Sequence, residues 1–517
     1  MKFVPTRWSN LSEQQAAVIR WVLEDKGSLE LLARAGCGKT YTLMQVVDAI
    51  IEGRLGDCAI MAYNKKIADE IKGKLEVLKY DWKVAQAGTV HSFGFGAWRK
   101  VAPRVQVENK KLYNIVEAER VRLADGGIFA EAGDTIVKLC SLAKQRAIGH
   151  LSAIDDRENW IDIWEHFGLE NDVTENVSMF DVISAAQTVY RISLNQCKEV
   201  IDFDDMILAP LYFRARFWPK DWILLDESQD TNPARRALAL AMLKPRTGRM
   251  IFVGDPCQAI YGFTGADSDS MNQLKKATNA KTLPLNVTRR CPKLVVEQAK
   301  RLVPDFVAHE SAPEGVVRAI EYADMDKEGL GYKDAILCRN TAPLIQTAYS
   351  LLAKGIACRV EGREIGQGLV KLARRWKLKT LDKLLDKLED YQARQTARFM
   401  SKGQENRVEG LVDQIDCLRV VINRCIATKR HSIDDLVTDI EQMFGNTPEG
   451  ETPKVLTLST IHKSKGREWT RVYILGRAKY LPSSYAKLDW QKEQERNLEY
   501  VAITRAMSEL IDIPAPI

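Results

Sequence analysis

The sequence predicts a two-domain α/β protein in which each domain is interrupted by a mainly helical insertion. Three observations carry this. The chain has 517 residues, about three times a typical domain. Short apolar runs ending in polar residues recur along it, as buried parallel strands do when their C-terminal loops carry a site. Two long stretches between these runs follow a helical period instead. The expected boundaries are 1–96 with 201–284 for the first α/β domain and 97–200 for its insertion. They are 285–370 with 450–517 for the second α/β domain and 371–449 for its insertion.

In chain order, Leu29–Leu32 reads as a short apolar strand, followed by a small-residue loop and a helix start at Thr42–Met44. The same strand grammar returns at Cys58–Ala62, Trp222–Leu225, Met250–Val253, Ala335–Cys338 and Val472–Leu475. In the first insertion, Leu112, Ile115, Val116 and Ala118, and then Ile183, Ala186, Val189 and Ile192, fall on helical stripes. In the second, residues 371–427 read as helical, with Leu378, Leu381, Leu385 and Leu388 on one stripe. From Lys371 to Lys402 there are ten basic and four acidic residues. A solvated amphipathic face explains that surplus at least as well as nucleic-acid contact does.

Composition narrows the class. At 45% hydrophobic and 28% charged, the chain has the make-up of a folded globular protein rather than a disordered one. The net charge of +6 is too small to announce a polyanionic partner, so any basic surface must be local. The ten cysteines include no C-x-x-C pair, which argues for reduced thiols and against a zinc ribbon or iron–sulfur cluster. No apolar run approaches a membrane span, and the first residues lack a signal-peptide core. An intracellular protein without membrane partners is expected.

Two segments carry chemistry. Ala33 to Thr40, ARAGCGKT, has the spacing of a P-loop with Ala33 in place of the leading glycine. Small residues at Ala35, Gly36, Cys37 and Gly38 let backbone N–H groups curl around phosphates. Lys39 supplies charge, and the Thr40 hydroxyl can ligate Mg²⁺. Further on, the apolar Trp222–Leu225 runs into Asp226 and Glu227. Asp226 is suited to hold Mg²⁺ through water and Glu227 to orient and deprotonate an attacking water. Together they indicate nucleotide hydrolysis without saying what work it drives.

Further segments resemble the UvrD/Rep family of superfamily 1 DNA helicases across almost the whole chain. Leu11–Gln15 is similar to the family's Q motif, which implies that Gln15 reads the adenine edge. Tyr63–Lys66 resembles motif Ia and Thr89–Phe93 motif Ib, implying single-stranded DNA contacts at Tyr63, Asn64, His91 and Phe93. Asp202–Asp205 resembles the marker upstream of motif II, and Asp226–Asp230 resembles motif II itself. Gly254–Phe263 is similar to motif III, with Gln258 as the γ-phosphate sensor and Tyr261 and Phe263 meeting bases. Thr288–Pro292 resembles motif IV, giving Arg290 a γ-phosphate role. Thr460–Trp469 resembles motif V, which places Glu468 near the ribose and His462 near the DNA backbone. Glu495–Ala506 resembles motif VI, with Arg505 as a second arginine finger.

The resemblance implies two RecA-like P-loop domains, ATP and Mg²⁺ as cofactors, and catalytic roles for Lys39, Glu227, Gln258, Arg290 and Arg505. It further implies 3′ to 5′ movement on single-stranded DNA and action at single-strand/duplex junctions, in repair, recombination or replication. Two departures bear on adenine binding: Tyr41 stands where the family usually has Arg, and Arg289 where it usually has Tyr. Since both a ring and a guanidinium plane stack on a base, the exchange preserves a sandwich with its faces swapped, or else Tyr41 packs into its helix and Arg289 faces solvent. Tyr63, Phe93, Tyr261 and Phe263 have core packing as their alternative, and His91 and His462 a structural role. A protein-stripping translocase with weak unwinding, and an ATP-switched interaction subunit of a nuclease or defence complex, are the competing functions.

Overall fold

The computed structural model describes residues 10–25, 27–62, 65–78, 80–81, 83–123, 125–169, 173, 177–260, 269–401, 405–444, 455–487 and 489–516. By its internal contacts the chain divides into two units, Met1–Arg34 with Gly38–Leu285 and Ala35–Cys37 with Asn286–Ile517.

The first unit is built on six strands, β1 (Leu29–Ala33), β2 (Cys58–Ala62), β3 (Ala85–Thr89), β4 (Trp222–Leu225), β5 (Arg249–Gly254) and β6 (Lys281–Leu285). They form one sheet in the order β3-β2-β4-β5-β1-β6, parallel throughout. Every residue of β2 and β4 is buried, because a parallel sheet is covered by helices on both faces. The covering and connecting helices are α1 (Glu13–Glu24), α2 (Lys39–Glu52), α3 (Lys65–Val77) and α4 (Val90–Val101), then α9 (Asp205–Tyr212), α10 (Pro233–Ala241) and α11 (Ser270–Thr278). Between α4 and α9 lie four insertion helices, α5 (Lys111–Arg122), α6 (Gly127–Gln145), α7 (Arg157–Phe167) and α8 (Met179–Asn195). A two-residue parallel pairing of Gln106–Val107 with Val200–Ile201 closes the neck of this insertion.

The insertion is not a separate globule. Ile136, Leu139, Trp160, Val189 and Tyr190 belong to one continuous core with Trp98, Met206 and Leu238 near the sheet. On α5 the buried face is Leu112, Ile115, Val116 and Glu119, and Ala118 is exposed. Residue 119, four positions after 115, holds the stripe more closely than 118 does.

Buried charge reinforces the join. Lys144 Nζ lies 2.6 Å from Asp202 Oδ2, 2.7 Å from Asp205 Oδ1 and 2.9 Å from Ser193 Oγ. Lys111 Nζ lies 2.6 Å from Asp205 Oδ2 and 2.7 Å from the Ser193 carbonyl. Both lysines are buried. The acidic segment before motif II is thus the anchor of three insertion helices.

The second unit repeats the plan with β7 (Val316–Ala319), β8 (Asp334–Cys338), β9 (Cys358–Val360), β10 (Leu456–Thr460), β11 (Trp469–Leu475) and β12 (Ala506–Ile513). Their order is β7-β12-β11-β8-β10-β9, again all parallel. Its helices in chain order are α12 (Lys293–Lys300), α13 (Ala342–Ala353), α14 (Arg363–Arg374), α15 (Leu381–Ser401), α16 (Glu405–Ala427), α17 (Ile433–Met443), α18 (Ile461–Ser464), α19 (Arg477–Tyr480) and α20 (Asp489–Ile503). Helices α14 to α17 fill the stretch between β9 and β10, and Leu369, Leu384, Leu418 and Ile440 share a core with Ile336, Leu458 and Tyr473.

The expected leucine stripe is shifted. Lys377 takes a left-handed φ of 53°, which breaks the chain between α14 and α15. Leu378 therefore precedes the helix, and the buried face of α15 is Leu381, Leu384 and Leu388, with Leu385 only partly covered. No helix of the described residues is long and apolar enough to cross a membrane, and all ten cysteines are free thiols.

Candidate nucleotide and nucleic-acid site

In the first unit three loops leave the C-terminal ends of β1, β5 and β4, which are consecutive neighbours in the sheet. In a parallel sheet those ends are where a site assembles. The β1 loop reverses into α2 through Gly36 (φ 68°) and Gly38 (φ 78°), both left-handed, which glycine alone adopts without strain. Ala33, by contrast, is the last residue of β1. Its extended backbone needs no glycine, which explains the tolerated departure from the motif. Ala35 and Cys37 are buried, and Thr40 is half-buried in the first turn of α2.

Lys39 opens α2, and its Nζ lies 3.2 Å from Glu227 Oε1. Burial alone lowers the ammonium's pKa, but Glu227, Asp255 and Asp226 together hold it above the usual lysine range. Lys39 therefore stays charged. Asp226 directly follows β4, buried, and its pKa is pushed up to about 7 by burial and by the adjacent Glu227. Glu227 sits at φ 48° and ψ 45°, a left-handed conformation that costs a non-glycine residue roughly 1 to 3 kcal/mol and is concentrated at functional sites. That geometry turns its carboxylate to Lys39 while its own N–H donates to Asp226 Oδ1 at 2.9 Å.

Behind these residues runs a chain of hydrogen bonds that the sequence reading did not single out. Gln229 Nε2 donates to Glu227 Oε2 at 2.5 Å, and Gln229 Oε1 accepts from the Asp255 N–H at 3.0 Å. Asp255 Oδ2 accepts from Gln258 Nε2 at 2.7 Å, and its Oδ1 pairs with Arg34 Nη1 at 3.0 Å. Gln229, Asp255 and Arg34 thereby join the P-loop, motif II and motif III. A signal was present in all three, since each lies inside a quoted motif as an unassigned polar residue.

Gln15 is buried and caps its own helix. Its Oε1 accepts from the Ser12 N–H at 3.1 Å, and its Nε2 donates to Thr42 Oγ1 at 3.2 Å. A Cβ added at Gly38 would meet Gln15 Nε2 at 3.2 Å, so the amide lies against the P-loop. Tyr41 is 47% exposed.

His91 sits in the first turn of α4, edge-on to Phe203, and burial, then Arg235, push its pKa down to about 4. A neutral imidazole offers a phosphate a single hydrogen bond and no charge. Phe93 is half-buried, with its ring against Gly88 and the first unit's core. Tyr63, Asn64, Tyr261 and Phe263 lie outside the described residues.

In the second unit Arg290 Nε pairs with Glu468 Oε2 at 2.5 Å, and its Nη1 donates weakly to the Thr504 carbonyl at 3.4 Å. Glu468, expected beside a ribose, is exposed and occupied by this pair. Arg505 is buried, and its guanidinium donates to the Val501 and Arg467 carbonyls and to Thr504 Oγ1 at 3.0, 3.1 and 3.2 Å. Arg289 is exposed. His462 lies on α18, its pKa lowered to about 3 by burial and by Arg339. A further ionic knot went unnoticed in the sequence: Arg339 Nη2 lies 2.9 Å from Glu495 and 3.2 Å from Glu409, tying insertion helix α16 to α20.

A glycine-bent loop before a charged lysine, with a buried Asp226 and the adjoining Glu227 two strands away on an all-parallel sheet, defines a P-loop domain of the RecA-like type. Comparison with known proteins agrees. Residues 11–279 match the UvrD/REP helicase N-terminal domain and residues 366–513 the UvrD-like helicase C-terminal domain. The chain belongs to the UvrD/Rep helicase family.

Among curated relatives, the ATP-dependent DNA helicase PcrA of Staphylococcus aureus is 23% identical over 336 residues, covering 62% of this chain and 43% of that protein. PcrA of Staphylococcus epidermidis is 24% identical over 312 residues, covering 57% and 40%. The ATP-dependent DNA helicase Rep of Buchnera aphidicola is 21% identical over 620 aligned positions, covering 94% and 92%. The matched part thus spans less than half the length of the PcrA relatives.

Proposed function

We propose that this chain is an ATP-dependent DNA helicase that moves 3′ to 5′ along single-stranded DNA and opens single-strand/duplex junctions, in the cytoplasm. The observation that carries the proposal is the Lys39–Glu227 pair, held from behind by Gln229, Asp255 and Gln258. On this reading residues 1–96 with 201–284 and residues 285–370 with 450–517 are the two motor domains. The helical segments 97–200 and 371–449 are their insertions.

The chemistry follows from the residues. Lys39 and Glu227 neutralise each other across 3.2 Å. A triphosphate in the P-loop draws Lys39 to its oxygens, which leaves the Glu227 carboxylate, still held by Gln229, free to take a proton from water. The Thr40 hydroxyl and the Asp226 carboxylate form the hard oxygen donor set that suits Mg²⁺, which would neutralise phosphate charge when bound. Gln258 turns on the Asp255 carboxylate, so a change at the phosphates reaches Arg34 through that carboxylate and Gln229 through the Asp255 N–H. Arg290 is held by a half-exposed ion pair of small net worth and is readily released toward a γ-phosphate. Arg505 is more deeply engaged and acts by the same route only after giving up two carbonyls.

ATP turnover with and without single-stranded DNA, followed by unwinding of 3′-tailed and 5′-tailed duplexes, tests the proposal. DNA-stimulated turnover with opening of the 3′-tailed substrate is the expected result. Stimulated turnover without strand separation would make the protein a translocase that strips bound proteins, and turnover indifferent to DNA would refute the reading.

A further inference from the structure

A second group of residues suited to nucleic acid lies on the first unit, at the far end of α4 from motif Ib and outside every motif quoted above. The C-terminal ends of α4 and α9 meet there, where Trp98 stacks on Phe213 with ring centroids 5.2 Å apart. From Phe213 the chain runs on as Arg214, Ala215, Arg216, Phe217, Trp218. Ala215 and Phe217 pack against the core, while Arg214, Arg216 and Trp218 are exposed. The segment thus presents two guanidinium groups and an indole to solvent.

Trp218 is 65% exposed, the most open tryptophan among the described residues. Lys100 Nζ sits 5.1 Å from its ring centre, and Arg99, one residue earlier on α4, lies 5.7 Å from the ring of Phe95. Among the described residues no carboxylate pairs with Arg99, Lys100, Arg214 or Arg216.

Two helix C-termini each favour a nearby cation. That accounts for the position of Arg99 and Lys100, but not for an indole left in water beside four unpaired cations. Cations alone would suit the phosphates of any polyanion. An exposed indole among them adds a stacking platform, which bases offer themselves to only when unstacked. The separation fits as well. From His91 to Lys100 the helix advances about 14 Å, so a strand that already fills the motif face reaches Lys100 by running on past motif Ib.

We propose that Trp218, flanked by Lys100, Arg214 and Arg216, is an auxiliary single-stranded DNA site that takes up the strand beyond motif Ib. The inference rests on the DNA-motor reading above and extends the path of the strand over this unit. It predicts a dependence on DNA length that the motif residues alone do not produce. A short strand fills the motif face only, and a longer one reaches Trp218.

The test measures affinity for oligothymidylates of about 8 and about 30 nucleotides in the full chain, in Trp218→Ala, in Trp218→Phe and in the double variant Arg214→Glu/Arg216→Glu. Trp218→Ala should lose about tenfold in affinity for the long strand, the scale of one lost stack, and nothing for the short one. Trp218→Phe should recover most of the loss. The charge variant should in addition flatten the salt dependence for the long strand by about 0.7 per phosphate contact removed. ATP turnover saturated with the short strand should be unchanged in every variant, since none touches the P-loop network.

Equal long-strand affinity in Trp218→Ala and in the charge variant would overturn the proposal and return this face to a protein partner or to solvent. A parent chain that binds neither oligomer would instead defeat the DNA-motor reading, and this inference with it.

Discussion

Replacing Lys144 by Met tests the claim that buried charge joins the first insertion to its α/β domain. The substitution keeps length and apolar stem but removes the ammonium from a position with no solvent exposure. Asp202 loses its 2.6 Å partner, Ser193 Oγ loses a donor, and Asp205 keeps Lys111 as its ionic partner beside the Asp202 N–H. Breaking a buried ion pair from one side costs about 3 to 5 kcal/mol, because the remaining charge stays buried without compensation. Lys244→Met is the control. Its partner Asp221 is as close, at 2.7 Å, but the pair is substantially exposed, and surface pairs contribute about 0 to 1 kcal/mol.

The pH dependence gives a second handle. Asp202 already titrates above the usual carboxylate range, through burial and then the neighbouring Asp205, with Lys144 pulling it down. Removing Lys144 raises it further. A carboxyl whose folded pKa lies above its unfolded value contributes its full stability below the unfolded pKa and loses it as pH rises through the folded one. The deficit of Lys144→Met should therefore be largest at alkaline pH and shrink on acidification. Urea unfolding at several pH values, followed by the fluorescence of the buried Trp98, Trp160 and Trp164, reports on this core. A loss below about 1 kcal/mol, or one indifferent to pH, would refute the reasoning.

How much of this molecule was legible in its sequence depended on where each element lies. Strands such as Trp222–Leu225 and Cys58–Ala62 announce themselves because central parallel strands are apolar on both faces. The strands that passed unseen are of two kinds. Lys281–Leu285 lies at a sheet edge, where Pro284 is tolerated and one flank stays wet. Leu456–Thr460 is buried, yet its alternating Thr and Ser look like a half-exposed strand or a loop. Lys111 and Lys144 were equally hidden, since a lysine in a helical stretch ordinarily reads as solvent-facing.

Within the candidate site, Lys39, Asp226, Glu227 and Gln258 could be read because each has a role in short segments of recognisable spacing. What holds them could not. Arg34 and Asp255 are 221 positions apart, and only the adjacency of β1 and β5 makes them partners. The engagement of Arg290 with Glu468 and of Arg505 with backbone carbonyls is likewise a property of packing, with no trace in local sequence.

Three further predictions concern the site and its surroundings. Lys39→Ala and Glu227→Gln should each abolish ATP turnover, but only the Glu227 variant should retain ATP unhydrolysed in a filter-binding assay; wild-type turnover in that variant would end its assignment as the base. Asp204, raised to about 6 by burial, withdraws stability as pH rises through that value, so Asp204→Asn should stabilise the protein by about 1 to 2 kcal/mol at pH 8 and not at pH 4; equal melting curves of both proteins at pH 8 would contradict this. The exchange of Tyr41 and Arg289 makes the last prediction. Both side chains are exposed, so neither is needed for the fold, and Tyr41→Ala and Arg289→Ala should leave unfolding unchanged. If each covers one face of the adenine, each loss weakens ground state and transition state alike, which raises KM for ATP with little change in kcat. Restoring the family's usual order with Tyr41→Arg and Arg289→Tyr together should then recover much of the affinity, because ring and guanidinium stack on a base from either side. Normal KM values in both single variants would leave adenine to Gln15 and the loop around Gly38.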